Sequence, residues 1–222
     1  MKEQIESKIV DKHVEKYVRS LIPVREEYYT TLEQYARLNN VPIIQPEVAK
    51  FIEVLIKTSG TKSILEIGTA IGYSASLFAD AMGANSRLVT IELRENSYEI
   101  AKTNIAKRKF ETDFEFLLGD GRDLLETIDE KFDMIFIDAA KGHYQVFYDL
   151  CIDKLKKGGI IVSDNVLYKG MIATDEYVVR RQKTIVKRMR DYLTFISDHP
   201  NLTTSVIPFG DGVAISYNNG GK

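Results

Sequence analysis

The chain has 222 residues, 44% of them hydrophobic and 28% charged, with a formal net charge of -2. That is enough to bury a full core in one domain, and it gives no global electrostatic argument for nucleic acid, so any such argument must rest on a local patch. No apolar run nears the roughly 20 residues that cross a bilayer, residues 1–6 carry mixed charge without an apolar signal core, and the single cysteine, Cys151, reads as a small buried apolar residue in a cytoplasmic protein.

In chain order, residues 10–21 and 25–38 carry apolar side chains at helical spacing, and a third helix over 46–57 follows the extended 41–45. With no repeat or linker, one domain is expected over 1–222, with 1–60 as a helical decoration on a core starting at 61. From Ser63 onward, short apolar runs (63–67, 87–91, 114–118, 132–137 and 159–163) alternate with helical patterns (73–82, 95–107, 121–128 and 144–155). Unbroken apolar strands, each followed by a helix, imply a parallel sheet covered on both faces. After Tyr177 a long helix is expected to about Asp198. Strands 203–207 and 213–217 follow, and the turn 208–212 between them is short enough to require an antiparallel hairpin. An α/β, Rossmann-like sheet of five parallel strands closed by such a hairpin is the class I methyltransferase layout, which binds ligands beyond the carboxyl ends of its strands.

The first strand runs into Glu66-Ile-Gly68-Thr-Ala-Ile-Gly72, a tight glycine turn that opens a helix. A nicotinamide-binding turn usually reads G-x-G-x-x-G and receives a pyrophosphate. Here the middle glycine is missing, and Glu66 would repel phosphate but attract the ammonium of S-adenosylmethionine. Glu92, ending the second strand, can accept from two ribose hydroxyls. Asp120, followed by Gly121 after the third strand, suits the adenine amino group.

The fourth strand ends at Asp138 and the fifth at Asp164-Asn165. Parallel neighbours bring these to one rim, giving three hard oxygen donors that suit Mg²⁺. His13, His143 and His199 lack ligand spacing, which makes zinc or iron improbable. Lys141 lies three residues past Asp138, within reach of a metal-bound hydroxyl, and a neighbouring cation would lower its pKa toward that of a useful base.

The segments LEIGTAIGYS, IDAAKGHY, VSDNVLYKG and IPFGDGVAIS together resemble the metal-dependent O-methyltransferases related to the catechol and caffeoyl-CoA enzymes. The resemblance runs from about Val41 to the end. It implies a sheet ordered 3-2-1-4-5-7-6 and methyl transfer to a metal-chelated hydroxyl. On this basis Glu66, Gly68, Tyr73 and Ser74 would hold the methionine part of S-adenosylmethionine, Glu92 the ribose, and Asp120 and Gly121 the adenine. Asp138 would border the cofactor and, with Asp164 and Asn165, bind Mg²⁺ or Mn²⁺. Lys141 would be the base, and Ile44 and Gln45 would lid the cofactor. Within the family, IPFGDGVAIS and the basic stretch after Asn165 are similar to the bacterial tRNA 5-hydroxyuridine methyltransferases, which are dimeric.

That stretch places Arg180, Arg181, Lys183, Lys187, Arg188 and Arg190 on one half of a helix. Val178, Ile185, Val186, Met189 and Leu193 fall on the other half. A continuous positive stripe of this kind suits a phosphate backbone, although a solvated helix face would look the same. Tyr168 and Tyr177 lie nearby as stacking candidates. The leading reading is methylation of 5-hydroxyuridine at the tRNA wobble position. The others are methylation of a small catechol-like or caffeoyl-type vicinal diol, a non-catalytic cofactor-binding protein, and a nicotinamide oxidoreductase.

Overall fold

The fold is that of a computed structural model describing residues 9–220, so the mixed-charge segment 1–6 lies outside the described residues. Helix α1 (Lys12–Ser20) is capped by Asp11, whose carboxylate accepts from the amides of His13 and Val14. Helix α2 (Glu27–Asn39) ends on left-handed Asn40, and α3 (Pro46–Ser59) opens on a proline and ends on left-handed Gly60. Strands and helices then alternate: β1 (Ser63–Ile67), α4 (Tyr73–Met82), β2 (Ser86–Glu92), α5 (Glu95–Ala106), β3 (Thr112–Leu118), α6 (Gly121–Thr127), β4 (Phe132–Ile137), α7 (Tyr144–Cys151) and β5 (Leu155–Asp164). Helix α8 (Lys183–Asp198) and the hairpin β6 (Leu202–Ile207) and β7 (Val213–Asn218) complete the described chain.

The seven strands form one sheet in the order β3-β2-β1-β4-β5-β7-β6, with β1 to β5 parallel and β7 antiparallel to both β5 and β6. Alternation along each strand feeds two cores. Ile64, Leu88, Met134, Phe136 and Val162 pack with Tyr29, Leu32, Val48, Ile52 and Phe78 of α2, α3 and α4. Leu65, Ile67, Val89, Ile135 and Ile137 pack on the opposite face, with Leu125, Phe147, Tyr148 and Met189 of α6, α7 and α8. The N-terminal helices α2 and α3 therefore share a core with the sheet. Among the described residues no helix is long and apolar enough to cross a membrane.

Two elements depart from the sequence reading. Strand β5 starts at Leu155, where a polar run with left-handed Gly158 joins β4 across a register shift. Helix α8 starts at Lys183, so residues 178–182 are not part of it. Val178 and Val179 are extended, as suits a β-branched pair, and Arg180–Gln182 is a separate 3₁₀ turn.

Candidate active site

The glycine turn is fixed by contacts that exclude side chains. Gly68 adopts φ 111°, and a Cβ there would lie 2.2 Å from the carbonyl oxygen of Asp138, so the ends of β1 and β4 meet only because it is glycine. Ala70 is also left-handed, with φ 47°. It is held there by its amide, which donates to Glu92 Oε2 at 2.8 Å, while Glu92 Oε1 accepts from the Arg94 amide at 2.9 Å. Glu92 thus braces the turn from β2, and each carboxylate oxygen keeps a second lone pair for a ligand.

Over this turn lies a cavity. Pro42, Ile43 and Ile44 wall it on one side, the turn Gly68-Thr69-Ala70 floors it, and Tyr73, Ser74 and Asp138 complete its lining. Tyr73 turns its hydroxyl away from the cavity, to Glu33 on α2. Glu66 lies beneath the wall, fully buried, and accepts from Ser74 Oγ at 2.6 Å and Thr90 Oγ1 at 2.6 Å. Burial pushes its pKa up to about 7 against those two hydrogen bonds, with the charges of Asp138 and Glu92 adding to the rise. Gln45 sits at the end of the strap 41–45, its side chain bonded to Arg19. Asp120 caps α6 and does not line the cavity. Its carboxylate is paired with Arg122 at 2.5 Å, which holds it down at about 2. Gly121 is buried, and a Cβ there would meet Phe147 at 3.2 Å.

On the neighbouring strands, Asp138 and Asn165 converge on one ammonium group, and the Asp164 carboxylate accepts instead from the Asn165 backbone amide at 2.7 Å. Lys141 Nζ donates to Asp138 Oδ1 at 2.7 Å and to Asn165 Oδ1 at 2.5 Å, and lies 3.3 Å from the Tyr144 hydroxyl. Tyr144 in turn donates to the Asp164 carbonyl at 2.7 Å, tying α7 to the end of β5. Asp164 is 1% exposed, and its pKa is raised to about 8 by burial first and the Asp138 charge second. Burial opposes the charged form of Lys141, but electrostatic interaction with Tyr144 and Asp138 outweighs it and raises the pKa. Beside these carboxylates alone, Lys141 is an ammonium. No three His, Cys, Asp or Glu side chains among the described residues come together in ligand geometry. The donors at this rim are two carboxylates and an amide, and the Asp138 carboxylate and Asn165 amide oxygen already grip the Lys141 ammonium. Hard oxygens with that preference fit a hard divalent ion.

The loop after Asp164 is strained and strapped. Asn165, Tyr168 and Lys169 all have positive φ. The turn between β6 and β7 holds them: Val166 N donates to Gly212 O at 2.9 Å, Leu167 N to Asp211 O at 3.0 Å, and Lys169 N to the Asp211 carboxylate. Sequence reasoning placed Asp211 only in a turn and missed Thr90, Ala70 and Tyr144 altogether. A threonine in an apolar strand gives no local sign that it faces a carboxylate.

The expected single basic stripe needs correcting. Arg180 and Arg181 lie on the 3₁₀ turn, and Arg190 folds back to Asp175 at 2.8 Å and the Ile172 carbonyl at 2.9 Å. Arg180, Arg181, Lys183 and Lys187 remain exposed with no ion pair among the described residues. Arg188 reaches the Gly142 carbonyl at 3.3 Å, beside Lys141, and Tyr168 donates to Gln182 Oε1 at 2.7 Å. Arg188 thus reaches the Lys141 turn, while the exposed cations fall into two short groups, on the 3₁₀ turn and on α8. Tyr177 is partly exposed at 39%.

A family model described as O-methyltransferase matches residues 21–218. This chain belongs to that family. A Staphylococcus aureus protein provisionally classed as a caffeoyl-CoA O-methyltransferase superposes with a TM-score of 0.86 at 35% identity, covering 93% of this chain and 99% of that one. An O-methyltransferase from Bacillus cereus, solved with S-adenosylhomocysteine, gives 0.82 at 27% identity over 93% and 97% of the two chains. A catechol O-methyltransferase of Niastella koreensis is 33% identical over 133 residues, 58% of this chain and 60% of its own. The methyltransferase described here is accordingly S-adenosylmethionine-dependent, and the nicotinamide reading falls.

Proposed function

We propose that this methyltransferase transfers the sulfonium methyl of S-adenosylmethionine to a hydroxyl flanked by a second oxygen, on an acceptor held at the Asp138–Asp164–Asn165 rim. The observation that carries this reading is the Lys141 ammonium held between Asp138 and Asn165, with the buried Asp164 carboxylate bonded to the Asn165 backbone amide, next to the glycine-turn cavity. Ser74, with Glu66 beneath it, would take the methionine end of the cofactor. Glu92 would take the ribose, and Asp120 and Gly121 the adenine once Arg122 turns aside. Asp138, Asp164 and Asn165 would hold Mg²⁺ or Mn²⁺, which when bound would grip the two acceptor oxygens and lower the hydroxyl pKa. Lys141 shares the Asp138 and Asn165 oxygens with that ion; displaced from them, it would give its own proton to solvent and stand as the neutral amine. The acceptor oxygen forms its bond to the methyl carbon as the carbon–sulfur bond breaks, leaving a neutral thioether, and Lys141 takes the proton.

For the acceptor we propose 5-hydroxyuridine at the tRNA wobble position, methylated in the cytoplasm to 5-methoxyuridine. The exposed Arg180, Arg181, Lys183 and Lys187, with Arg188 beside the rim, support a phosphate-bearing substrate. A small vicinal diol is the second reading, and the catechol and caffeoyl-CoA names of the relatives support it more directly. We also read the protein as a homodimer. Helix α1 buries none of its residues and exposes Val14, Tyr17, Val18 and Leu21.

Mass spectrometry of nucleosides from tRNA incubated with enzyme and labelled cofactor decides between the acceptors. Labelled 5-methoxyuridine is expected, formed with Mg²⁺ and lost in EDTA. Labelling of catechols and never of hydroxyuridine-bearing tRNA would assign the enzyme to small diols, and full activity in chelator would remove the metal.

A further inference from the structure

Helix α1 stands apart from the rest of the molecule. None of its residues is buried, yet one side chain near its end is tied to the strap that walls the cofactor cavity. Arg19 Nε donates to Glu47 Oε2 at 2.7 Å and its Nη2 to Glu47 Oε1 at 2.9 Å, a two-point fork on a carboxylate only 7% exposed. The same Nη2 also donates to Gln45 Oε1 at 2.7 Å. Glu15, one turn earlier on α1, pairs with Arg19 from behind.

Gln45 and Glu47 are the hinge between the strap and α3. The Val41 amide anchors the strap's start to the Ala36 carbonyl at 2.9 Å, and the Gln45 carbonyl receives the Ala49 amide at 2.8 Å. Between these anchors Pro42, Ile43 and Ile44 face the cavity. Gly210 lies against the other side of the Gln45 side chain, where an added Cβ would come 3.5 Å from its Oε1. On the side facing α1, Arg19 is the donor that holds the Gln45 amide oxygen.

We infer that Arg19 is a positioning residue for cofactor binding: its three hydrogen bonds to Gln45 and Glu47 make the docking of α1 and the placement of the 41–45 strap over the cofactor a single event. A lysine offers a point charge in place of a planar fork and cannot satisfy both partners in the same geometry. Coupling of this kind is reciprocal, so whatever α1 contributes to cofactor binding, the cofactor returns to α1 as protection from local opening. The inference rests on the strap cavity being the S-adenosylmethionine site.

Calorimetric titration with S-adenosylhomocysteine and amide hydrogen exchange test it on the full chain. Arg19→Ala should bind at least tenfold more weakly than the parent, with Arg19→Lys between them. In the parent, ligand should slow exchange of the amides of residues 15–21, and in Arg19→Ala this remote protection should vanish. If Arg19→Ala does not fold, Glu47→Gln is expected to give the same weakening, because it keeps the side-chain shape while removing the charge that fixes the fork. Affinity within twofold of the parent, in whichever variant folds, would overturn the inference and leave Arg19 a purely structural ion pair. A parent protein that fails to bind S-adenosylhomocysteine at all would overturn the cavity assignment along with it.

Discussion

At the scale of single residues, Glu66 sets burial against ligand binding. Its folded pKa, pushed up to about 7, exceeds the ordinary carboxylate value. The folded chain therefore holds a proton here, between the unfolded value and about pH 7, that the unfolded chain has already released. The stability contributed by Glu66 is full below that window and is lost as pH rises through 7. The ammonium of a bound cofactor favours the opposite, ionised form. Affinity for S-adenosylhomocysteine should therefore climb from pH 6 to pH 8, by up to about tenfold over the whole range. Glu66→Gln should flatten that climb, and melting temperatures with and without ligand across the range would measure it. Gly68 permits a sharper expectation, because alanine there needs a Cβ 2.2 Å from the Asp138 carbonyl. Gly68→Ala should cost about 3 kcal/mol in urea unfolding, from backbone strain and overpacking. The glycines and strand-end acids were legible in the sequence because each closes an apolar run. The pairing of Asp120 with Arg122, and of Glu66 with Thr90, was not, since only the folded chain decides which neighbour a polar side chain meets.

At the scale of elements, legibility followed how strongly burial dictates pattern. Strands β1 and β4 and helix α4 have the bounds their apolar periodicity implies, because both faces of the sheet are covered and every residue must suit one. The stretch 178–182 was misread as the start of one basic helix. Charge density says nothing about backbone, and the extended Val178-Val179 pair stops the helix from forming early. The correction separates arginines with different expected behaviour. Replacing Arg180, Arg181, Lys183 and Lys187 by alanine should weaken tRNA binding and reduce its salt slope by up to about 0.7–0.9 for each phosphate no longer neutralised. Arg190, bonded to Asp175 and to the carbonyls of Met171 and Ile172, belongs to the loop's own support. Arg190→Ala should lower the melting temperature and leave the salt slope unchanged. Filter binding at several salt concentrations, set beside thermal unfolding, distinguishes the two. A flattened slope for Arg190→Ala would restore the single stripe.

At the scale of the whole molecule, the sheet order puts two chemistries on either side of one seam. Chain order reverses between β1 and β4, where α/β sheets open a crevice. The candidate cofactor groups Glu66, Glu92 and Asp120 come from β1, β2 and the end of β3, and the cation-binding rim comes from β4, β5 and the turn between β6 and β7. The halves touch at Gly68 and Asp138, and the strap walls the cavity above that contact. The rim depends on the hairpin, because Gly212, at φ 84°, lets its turn receive the Val166 amide, and a Cβ there would lie 2.3 Å from Leu167 Cγ. Gly212→Ala should displace the Asn165 loop while leaving the β1 and β2 groups in place. Mn²⁺ affinity, read by electron paramagnetic resonance, is then expected to weaken about 10–100-fold, as when supporting groups around a metal site are removed. Affinity for S-adenosylhomocysteine should fall far less, about twofold, since Glu66 and Glu92 take none of their hydrogen bonds from the β6–β7 turn. Equal loss of both affinities would mean that the seam transmits the disturbance and that cofactor and cation sites behave as one unit.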